Sequence, residues 1–425
     1  GWLRCTYMFS IGFSDVDLSS FRVLHSSEGV VVVSVLHRRL GVVVVKTSPC
    51  VFSIIRGLLD RLRGLGGGFD IPTISASLVE RCLGESATRR ILEEAEVLRA
   101  LGGHSYIVEC YAYSFEGLPA IVLKYYPRTL ADLVRGGGRR FSHREAVELL
   151  VRVGSAVSYI HSRGYVHGDI KPSHVLLDES GEPRLADFST AVPVGRGGCA
   201  KAKGYTPGFA APEQERRGLV CYSSDVYALA SLYVYMLTGK PASTIEVSQL
   251  RLPRVIERAL AEDPERRPDI DSFLSGLRDL IEEKEFYLVD SRGRATRLDP
   301  RRQRYVIGRD RSCDIVVDDE YVSGHHCELV YDELENTWKI RDKESLNGTV
   351  IERGRDRIVV FIGRRAETSD YYRSLARETG KGVTEEYLRS GDRILLAYSF
   401  KTQTARVELE YVEVKKNPHS RPRAL

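Results

Sequence analysis

The strongest constraint on the fold is a change of sequence pattern near residue 286. Before this point, strand-like stretches such as "FRVLHSSEGVVVVSVLHRRLGVVVVK" alternate with helix-like stretches such as "SHREAVELLVRVGSAVSYIHSRG". After it, short strand-like segments from "RYVIGR" to "ARVELEYVEV" follow one another, separated by turn residues. The pattern therefore predicts two domains, an α+β domain followed by an all-β sandwich.

The boundaries of these domains follow from the same pattern. The first predicted domain covers residues 1–283 and carries an insert at about 47–85. The second covers residues 286–414, and its insert at about 352–388 contains the helix-like "SDYYRSLAR". Residues 415–425 form a basic tail. A chain of 425 residues is long enough for each domain to bury a core of its own.

Composition limits the classes of partner and the compartment. The net charge is only +4, so we expect no nucleic-acid partner. The longest apolar runs, "GVVVVSVL" and "LGVVVV", are far shorter than the about 20 residues of a membrane-spanning helix. The eight cysteines show no C-x-x-C spacing, which predicts reduced thiols, no zinc site and no disulfide framework. We therefore expect a cytoplasmic protein.

Several separated motifs carry the residue types that phosphoryl transfer requires, namely a phosphate-binding cation, metal-binding groups and a carboxylate that orients the attacking hydroxyl. In chain order they are "VVVVK", "EAEVLRAL", "IVLKYY", "HGDIKP", "ADFS", "TPGFAAPE" and "SDVY". In this order and spacing they resemble the eukaryotic-type serine/threonine protein kinases, over roughly residues 13–283. The resemblance implies a bilobal kinase fold, ATP as a cofactor, and Mg²⁺ or Mn²⁺.

The resemblance also implies roles for single residues. Lys46 would hold the α- and β-phosphates and pair with Glu94. Asp169 would orient the substrate hydroxyl, and Lys171 would steady the transferring phosphate. Asp187 would bind the metal ion. Glu213 is expected to pair with Arg267, Thr206 to lie near the substrate, and Asp225 to brace the catalytic loop.

The nucleotide site is expected to lie between the first strands and the hinge. Gly29 would be the third glycine of the phosphate-covering loop and Val31 would cover adenine, with Leu123 as the gatekeeper. The hinge residues, which would face adenine through their backbone, are Lys124, Tyr125 and Tyr126. The other two glycine positions fall on Leu24 and Ser26, which predicts weaker nucleotide binding. The alternative interpretation of "SSEG" is an ordinary β-turn.

Two departures from the family pattern bear on regulation and catalysis. Gly168 replaces the arginine that normally receives an activation-segment phosphate, and no serine or threonine occurs between Ala191 and Tyr205. We therefore expect that phosphorylation there does not activate the protein. His174 replaces the asparagine that offers an oxygen to the second metal ion. Three alternatives stay open: His174 ligates a softer metal, the Asp187 site suffices, or the site is inactive. Ligation predicts more turnover with manganese than with magnesium, and less activity as His174 gains a proton.

Three further motifs resemble the forkhead-associated (FHA) domain, a β-sandwich that binds phosphothreonine peptides. They are "YVIGRDRSCDIVVDD", "VSGHH" and "SLNGT". The resemblance implies that Arg309 holds the phosphate or the nearby peptide backbone, that Ser323 donates its hydroxyl to the phosphate, and that Asn347 holds the peptide backbone. Gly308 would allow the turn before Arg309, and His326 would be structural.

The combined prediction is a serine/threonine protein kinase whose own C-terminal module reads phosphothreonine. Its partners would be protein substrates and phosphothreonine-containing proteins, or its own autophosphorylated insert at Thr73 or Thr88. The alternative from another class is a pseudokinase scaffold that displays the reading module. A small-molecule kinase is less favoured because "TPGFAAPE" suits a protein substrate.

Overall fold

A computed structural model describes residues 10–64, 76–136, 138–195 and 197–416. The chain forms two compact units, Gly1–Arg278 and Asp279–Leu425, called the first and second unit below. None of the helices in these described ranges is both long enough and apolar enough to cross a membrane.

The first unit begins with a six-stranded sheet in the order β1–β5–β6–β4–β3–β2. Its strands are β1 (Ser10–Ile11), β2 (Val16–Ser26), β3 (Val31–His37), β4 (Gly41–Thr47), β5 (Cys110–Phe115) and β6 (Leu118–Lys124). All neighbours are antiparallel except β1 and β5, which are parallel. Runs of valine favour extended structure, and the tight connection between β3 and β4 places their valines opposite one another.

Three helices follow β4 before the chain returns to the sheet. They are α1 (Pro49–Gly64), α2 (Ala76–Leu83) and α3 (Ser86–Leu101). The first two lie in the predicted insert, and Val51 and Ile55 of α1 join one buried cluster with Val33 and Val45 of the sheet. The helix α3 ends at Gly102, where a φ of 67° favours glycine, and its N-cap is Glu85.

The rest of the first unit is mainly helical. Its helices are α4 (Leu130–Gly136), α5 (His143–Ser162), α6 (Pro212–Arg217), α7 (Tyr222–Thr238), α8 (Arg254–Ala259) and α9 (Ile270–Ile281). Its short strands are β7 (Arg128–Thr129), β8 (Tyr165–Val166), β9 (Val175–Leu177), β10 (Pro183–Leu185), β11 (Val192–Pro193), β12 (Cys199–Lys201) and β13 (Leu219–Cys221). A capping box opens α5, since the Ser142 side chain accepts from the Glu145 amide. The apolar helix α7 is buried over most of its length.

The second unit contains two sheets, as expected for a sandwich. One has the order β15–β14–β24–β23–β20–β21 and the other β17–β16–β18–β19–β22. The strands of the first are β14 (Lys284–Asp290), β15 (Ala295–Leu298), β20 (Thr349–Arg353), β21 (Asp356–Phe361), β23 (Arg393–Leu396) and β24 (Val407–Lys415). Those of the second are β16 (Arg304–Gly308), β17 (Ile315–Val316), β18 (Cys327–Asp332), β19 (Thr337–Asp342) and β22 (Glu385–Tyr387). Trp338 and Tyr411 from different sheets share one buried cluster, and α10 (Asp370–Thr379) lies in the predicted insert.

The expectation that the cysteines are reduced is wrong for two pairs. Cys50 and Cys82 form a disulfide between α1 and α2, and Cys199 and Cys221 form one between β12 and β13. The partners are 32 and 22 residues apart in the chain, so the fold brings them together and local spacing does not reveal them. The remaining described cysteines, Cys110, Cys313 and Cys327, are free.

Candidate active site and phosphopeptide-binding site

Three charged side chains from separate elements meet on one face of the six-stranded sheet. Lys46 projects from β4, Glu94 from α3, and Asp187 follows β10. The Lys46 Nζ lies 2.8 Å from Glu94 Oε2 and 3.3 Å from Asp187 Oδ1. Burial alone would lower the pKa of Lys46, but the two carboxylates raise it, so the amine keeps its positive charge. The predicted pairing of Lys46 with Glu94 is confirmed.

The loop between β8 and β9 carries the second part of the site. Asp169 Oδ2 lies 3.2 Å from Lys171 Nζ, and the same amine donates to Thr206 Oγ1 at 2.7 Å. Thr206 and Asp169 therefore share one partner, the Lys171 amine. A substrate hydroxyl bound at this place would meet the Asp169 carboxylate, which can accept its proton, and the Lys171 amine, which can offset anionic charge.

His174 bridges the two parts of the site. Its Nδ1 lies 2.8 Å from the backbone oxygen of Asp169, and its Nε2 lies 3.1 Å from Asp187 Oδ2. A bond to a carbonyl oxygen requires a hydrogen on Nδ1, so the neutral ring points a lone pair from Nε2 at the carboxylate. Two facing acceptors need a cation between them, either a proton on Nε2 or a metal ion. Burial would raise the pKa of Asp187, but the hydrogen bond from His174 and the charge of Lys46 hold it well below its usual value.

This donor set fits a metal that is completed by a nucleotide. Within the described ranges, no three His, Cys, Asp or Glu side chains cluster to form a metal site made by protein alone. Mg²⁺ in phosphoryl-transfer sites is held by one or two carboxylates together with substrate phosphates. Asp187 supplies such a carboxylate, and the imidazole of His174 is a ligand that suits manganese better than magnesium.

A buried aspartate braces the catalytic loop from the helical part of the unit. Asp225, in the first turn of α7, accepts from the backbone amides of His167 and Gly168, each at 2.9 Å, and from His161 Nε2 at 2.8 Å. Burial opposes its ionisation, but the His161 bond and its other partners keep the pKa of Asp225 low. Gly168 has φ of +82°, a conformation that favours glycine. The predicted brace is confirmed.

Two further contacts fix the end of the activation segment. Arg267 donates to both carboxylate oxygens of Glu213 at 2.8 and 2.9 Å, which confirms the predicted pair. Gln214 donates from Nε2 to the backbone oxygen of Gly168 at 2.9 Å. No sequence pattern indicates this role of Gln214, because a glutamine in a helix carries no signal of a distant backbone partner.

The strand register corrects one expected nucleotide contact. Val32, not Val31, stands directly opposite Lys46 across β3 and β4, and opposite residues share a face of the sheet. Val31 stands opposite Thr47 and is buried in the cluster on the other face, so its assignment over adenine is wrong. Val32 is half-buried and shares the face of Lys46, which makes it the candidate for this position.

The other residues expected at the nucleotide site are Gly29, Leu123 and the hinge residues, and their contact with a nucleotide stays a prediction. Gly29 lies in the turn between β2 and β3, where the Ser27 amide bonds to the Val30 oxygen at 2.9 Å. Leu123 is paired with Val44, two residues from Lys46, so it shares the Lys46 face. The hinge residues after it are Lys124, Tyr125 and Tyr126. The Lys124 amide already donates to the Glu109 oxygen at 2.9 Å, so only the later hinge amides remain to donate to a base.

Of the two expected autophosphorylation sites, Thr73 and Thr88, the structure describes only Thr88. Thr88 is fully buried in α3, and its Oγ1 bonds to Ser48 Oγ at 2.7 Å. A kinase cannot reach it in this fold, so the assignment of Thr88 is corrected. Thr73 lies outside the described residues.

The expected phosphopeptide residues meet at one end of the second unit. Arg309 is exposed directly after β16, and its amide donates to the Ser323 oxygen at 3.0 Å. The Ser323 Oγ accepts from the Leu346 amide at 3.0 Å, which leaves the hydroxyl hydrogen free to donate. Gly308 is required here, because a Cβ at this position would lie 2.0 Å from the Gly324 oxygen.

The side-chain amide of Asn347 is held through its nitrogen, while its oxygen makes no hydrogen bond to the described residues. Its Nδ2 donates to the Tyr321 oxygen at 2.6 Å, and its buried Oδ1 has no hydrogen-bond partner among the described residues. A buried acceptor without a partner is costly, so this oxygen is ready to accept from a ligand. His326 ties the loops together as expected, with Nδ1 accepting from the Ser323 amide and Nε2 donating to the Gly348 oxygen. Burial lowers the pKa of His326, which keeps the ring neutral.

Comparison with known families agrees with this geometry. Residues 78–296 match the protein kinase domain, which is more than half of the chain. The chain belongs to the protein kinase family. Residues 305–367 match the FHA domain, so the kinase domain is followed by an FHA domain. The first match begins after Gly29 and Lys46, so these two positions rest on the structure and the motif order.

Similar proteins are kinases, but the alignments cover only part of them. The chain is 28% identical over 249 residues to serine/threonine-protein kinase PknK of Mycobacterium tuberculosis. This alignment covers 49% of the present chain and 22% of PknK. It is 36% identical over 162 residues to serine/threonine-protein kinase C of Synechocystis, covering 36% of this chain and 30% of the relative. Against mouse ribosomal protein S6 kinase alpha-2 the identity is 32% over 195 residues, covering 40% and 26%.

Proposed function

We propose that the protein is an active, ATP-dependent serine/threonine protein kinase with a phosphothreonine-binding FHA domain. The observation that carries the proposal is the convergence of Lys46, Glu94 and Asp187 in one set of ion pairs, joined to Asp169 through His174. A pseudokinase scaffold has no need to keep these groups together. The proposed domains are residues 1–283 and 286–414, with a basic tail at 415–425.

Each residue of the site has a role that its contacts support. Lys46, positioned by Glu94, holds the α- and β-phosphates of ATP. Asp169 accepts the proton of the substrate hydroxyl and orients its oxygen, and Lys171 offsets the charge of the transferring phosphate. Asp187 and His174 would hold Mg²⁺ or Mn²⁺, which supplies positive charge to the phosphates when bound.

Transfer of label from γ-labelled ATP to a generic serine/threonine protein substrate tests the activity. We expect incorporation by the wild-type protein and a fall of about 10²–10⁴-fold in Asp169→Asn, because the base is lost while the charged groups that bind ATP remain. ATP affinity, measured in parallel, should be retained in this variant and lost in Lys46→Met. Label transfer at the wild-type rate in Asp169→Asn, or none in the wild-type protein with either metal, favours the scaffold alternative.

The FHA domain is proposed to bind phosphothreonine through Arg309, Ser323 and Asn347. The unused hydrogen of Ser323 and the unpaired oxygen of Asn347 offer a donor for phosphate and an acceptor for a peptide amide. The partners would be protein substrates primed by phosphorylation, or the protein's own segment around Thr73. A cytoplasmic location stays a prediction. The two disulfides weigh against it, because disulfides are rare in cytosolic proteins outside hyperthermophiles.

A further inference from the structure

The activation segment, defined here as residues 187–213, is tied covalently to the helical part of the first unit. Cys199 on β12 and Cys221 on β13 lie directly opposite each other in an antiparallel pair and form a disulfide. The same pair is closed by hydrogen bonds from the Ala202 amide to the Gly218 oxygen at 2.8 Å and from the Tyr222 amide to the Gly198 oxygen at 3.2 Å. The disulfide therefore fixes the middle of an otherwise exposed loop.

The anchoring cysteine stands next to the residues that brace the catalytic loop. Cys221 is the N-cap of α7, and its amide donates to Ser224 Oγ at 2.9 Å. Ser224 in turn donates to Glu213 Oε1 at 2.6 Å, and its neighbour Asp225 holds the amides of His167 and Gly168. Movement of the loop at Cys199 is thus opposed at the helix turn that positions the catalytic loop.

The activation segment has no phosphate-based means of being ordered in this region. Gly168 offers no side chain to receive a phosphate, and residues 192–204 contain no serine or threonine. Instead, Lys203 Nζ lies 2.8 Å from Glu93 Oε2 on α3, the helix that also carries Glu94. An ion pair as exposed as this one contributes little stability by itself. The disulfide is therefore the stronger constraint on the activation segment.

We propose that the Cys199–Cys221 disulfide is a redox modification site that orders the activation segment in place of a phosphate, and that its reduction lowers phosphoryl transfer. The second clause rests on the proposed kinase function. The oxidised form is the ordered, active form. The agent that reduces the bond is a dithiol. The disulfide form of such a dithiol is the oxidant that restores the bond.

The accessibility of the two sulfur atoms determines which of them a thiolate attacks. Cys199 is exposed, whereas Cys221 is only 8% exposed. One thiolate of the dithiol attacks Cys199, the Cys199–Cys221 bond breaks, and Cys221 leaves as a thiolate at the N-terminus of α7, where negative charge is favoured. The second thiolate of the reagent then attacks its own mixed disulfide and releases Cys199. The reagent becomes a cyclic disulfide, so its two electrons and two protons end on the two cysteines.

Hydrogen exchange and kinase assays on the full chain, before and after treatment with dithiothreitol, test this proposal. We expect reduction to speed exchange of the Ala202 amide at least about tenfold, and to lower kcat/KM for a protein substrate by about tenfold. The Cys199→Ser/Cys221→Ser variant should show both properties of the reduced protein and no response to the reductant. Mass spectrometry of peptides should find the Cys199–Cys221 bond in protein purified without reductant.

The second disulfide provides the matched control. Cys50→Ser/Cys82→Ser lacks a bond far from the activation segment in the chain, and it should respond to dithiothreitol as the wild-type protein does. Unchanged Ala202 exchange on reduction, or activity that stays the same or rises, overturns the proposal. Faster Ala202 exchange without phosphoryl transfer in either state counts against the kinase assignment and still supports the ordering role of the bond.

Discussion

At the scale of single residues, the proposed ligation by His174 predicts which metal ion the site prefers. Its Nε2 faces Asp187 Oδ2 at 3.1 Å, and imidazole nitrogen suits manganese better than magnesium. We expect the wild-type kcat with Mn²⁺ to exceed that with Mg²⁺. In His174→Asn, which offers an oxygen, the Mn²⁺/Mg²⁺ ratio of kcat should fall. His174→Ala, which offers neither ligand, is the control and should not gain activity with Mg²⁺. An equal ratio in wild type and His174→Asn would contradict ligation by His174.

The FHA domain permits an equally local test at Arg309. This exposed arginine follows Gly308, whose lack of a side chain allows the close approach of two loops. Loss of a charge-assisted contact costs about 1.5–3 kcal/mol, so Arg309→Ala should raise the Kd for a phosphothreonine peptide by about 10- to 150-fold. Fluorescence polarisation measures this effect. Arg311→Ala, a nearby exposed arginine, serves as the matched control and should bind nearly as well as wild type. Similar losses in both variants would mean a general charge effect.

At the scale of elements, the sequence predicts which segments form strands and helices better than it predicts their register. The spacing between Val31 and Lys46 matches the family, yet the β3–β4 pairing places Val32 on the Lys46 face. A shift of one residue reverses the face of every side chain, and spacing along one strand does not reveal it. The Cys199–Cys221 disulfide is hidden from the sequence for the same reason, because its two cysteines meet only through strand pairing. The polar pairs Lys46–Glu94 and Glu213–Arg267 could be predicted, since each belongs to a motif of fixed order.

The Glu213–Arg267 pair supports a prediction about how α6 is held. Arg267 is 6% exposed and Glu213 is 7% exposed. Burial opposes the charge of Glu213, but the hydrogen bonds from Arg267 and Ser224 keep the pKa of Glu213 low. Arg267→Met should therefore leave a buried, uncompensated carboxylate and cost about 3–5 kcal/mol in the free energy of unfolding, measured by denaturant titration. Glu213→Gln/Arg267→Met should recover part of this loss, because no charge is left unpaired.

An exposed pair of the same residue types is the control for that experiment. Arg216 and Glu262 form an ion pair whose side chains are 69% and 70% exposed. Arg216→Ala should leave the midpoint of unfolding unchanged, since solvent screens such pairs. A loss in Arg216→Ala as large as that in Arg267→Met would show that burial is not the cause.

At the scale of the whole molecule, the order of motifs was sufficient to predict two domains with distinct chemistry. The kinase motifs end before residue 283 and the FHA motifs begin after it, and each unit of the structure contains one of the two sets. Both units also place a neutral, fully buried histidine inside a functional loop, His167 in the first and His326 in the second. Burial lowers the pKa of each ring, which the motif patterns alone do not indicate.

This shared feature predicts that the free energy of unfolding falls with decreasing pH already in the range where the carboxylates are still ionised. The pKa of His326 is lower in the folded state than in the unfolded state, so below about pH 6.5 the unfolded chain binds the extra proton. Stability of the second unit should therefore fall with decreasing pH, by up to about 1.4 kcal/mol per pH unit for this one group. In a Trp2→Phe background, Trp338 is the only tryptophan of the chain and is fully buried in the second unit. Its fluorescence during denaturant unfolding at pH 7.5 and 5.5 measures the effect. His326→Gln should be less stable at pH 7.5 and lose most of this pH dependence, whereas an undiminished dependence would assign the proton uptake to another group.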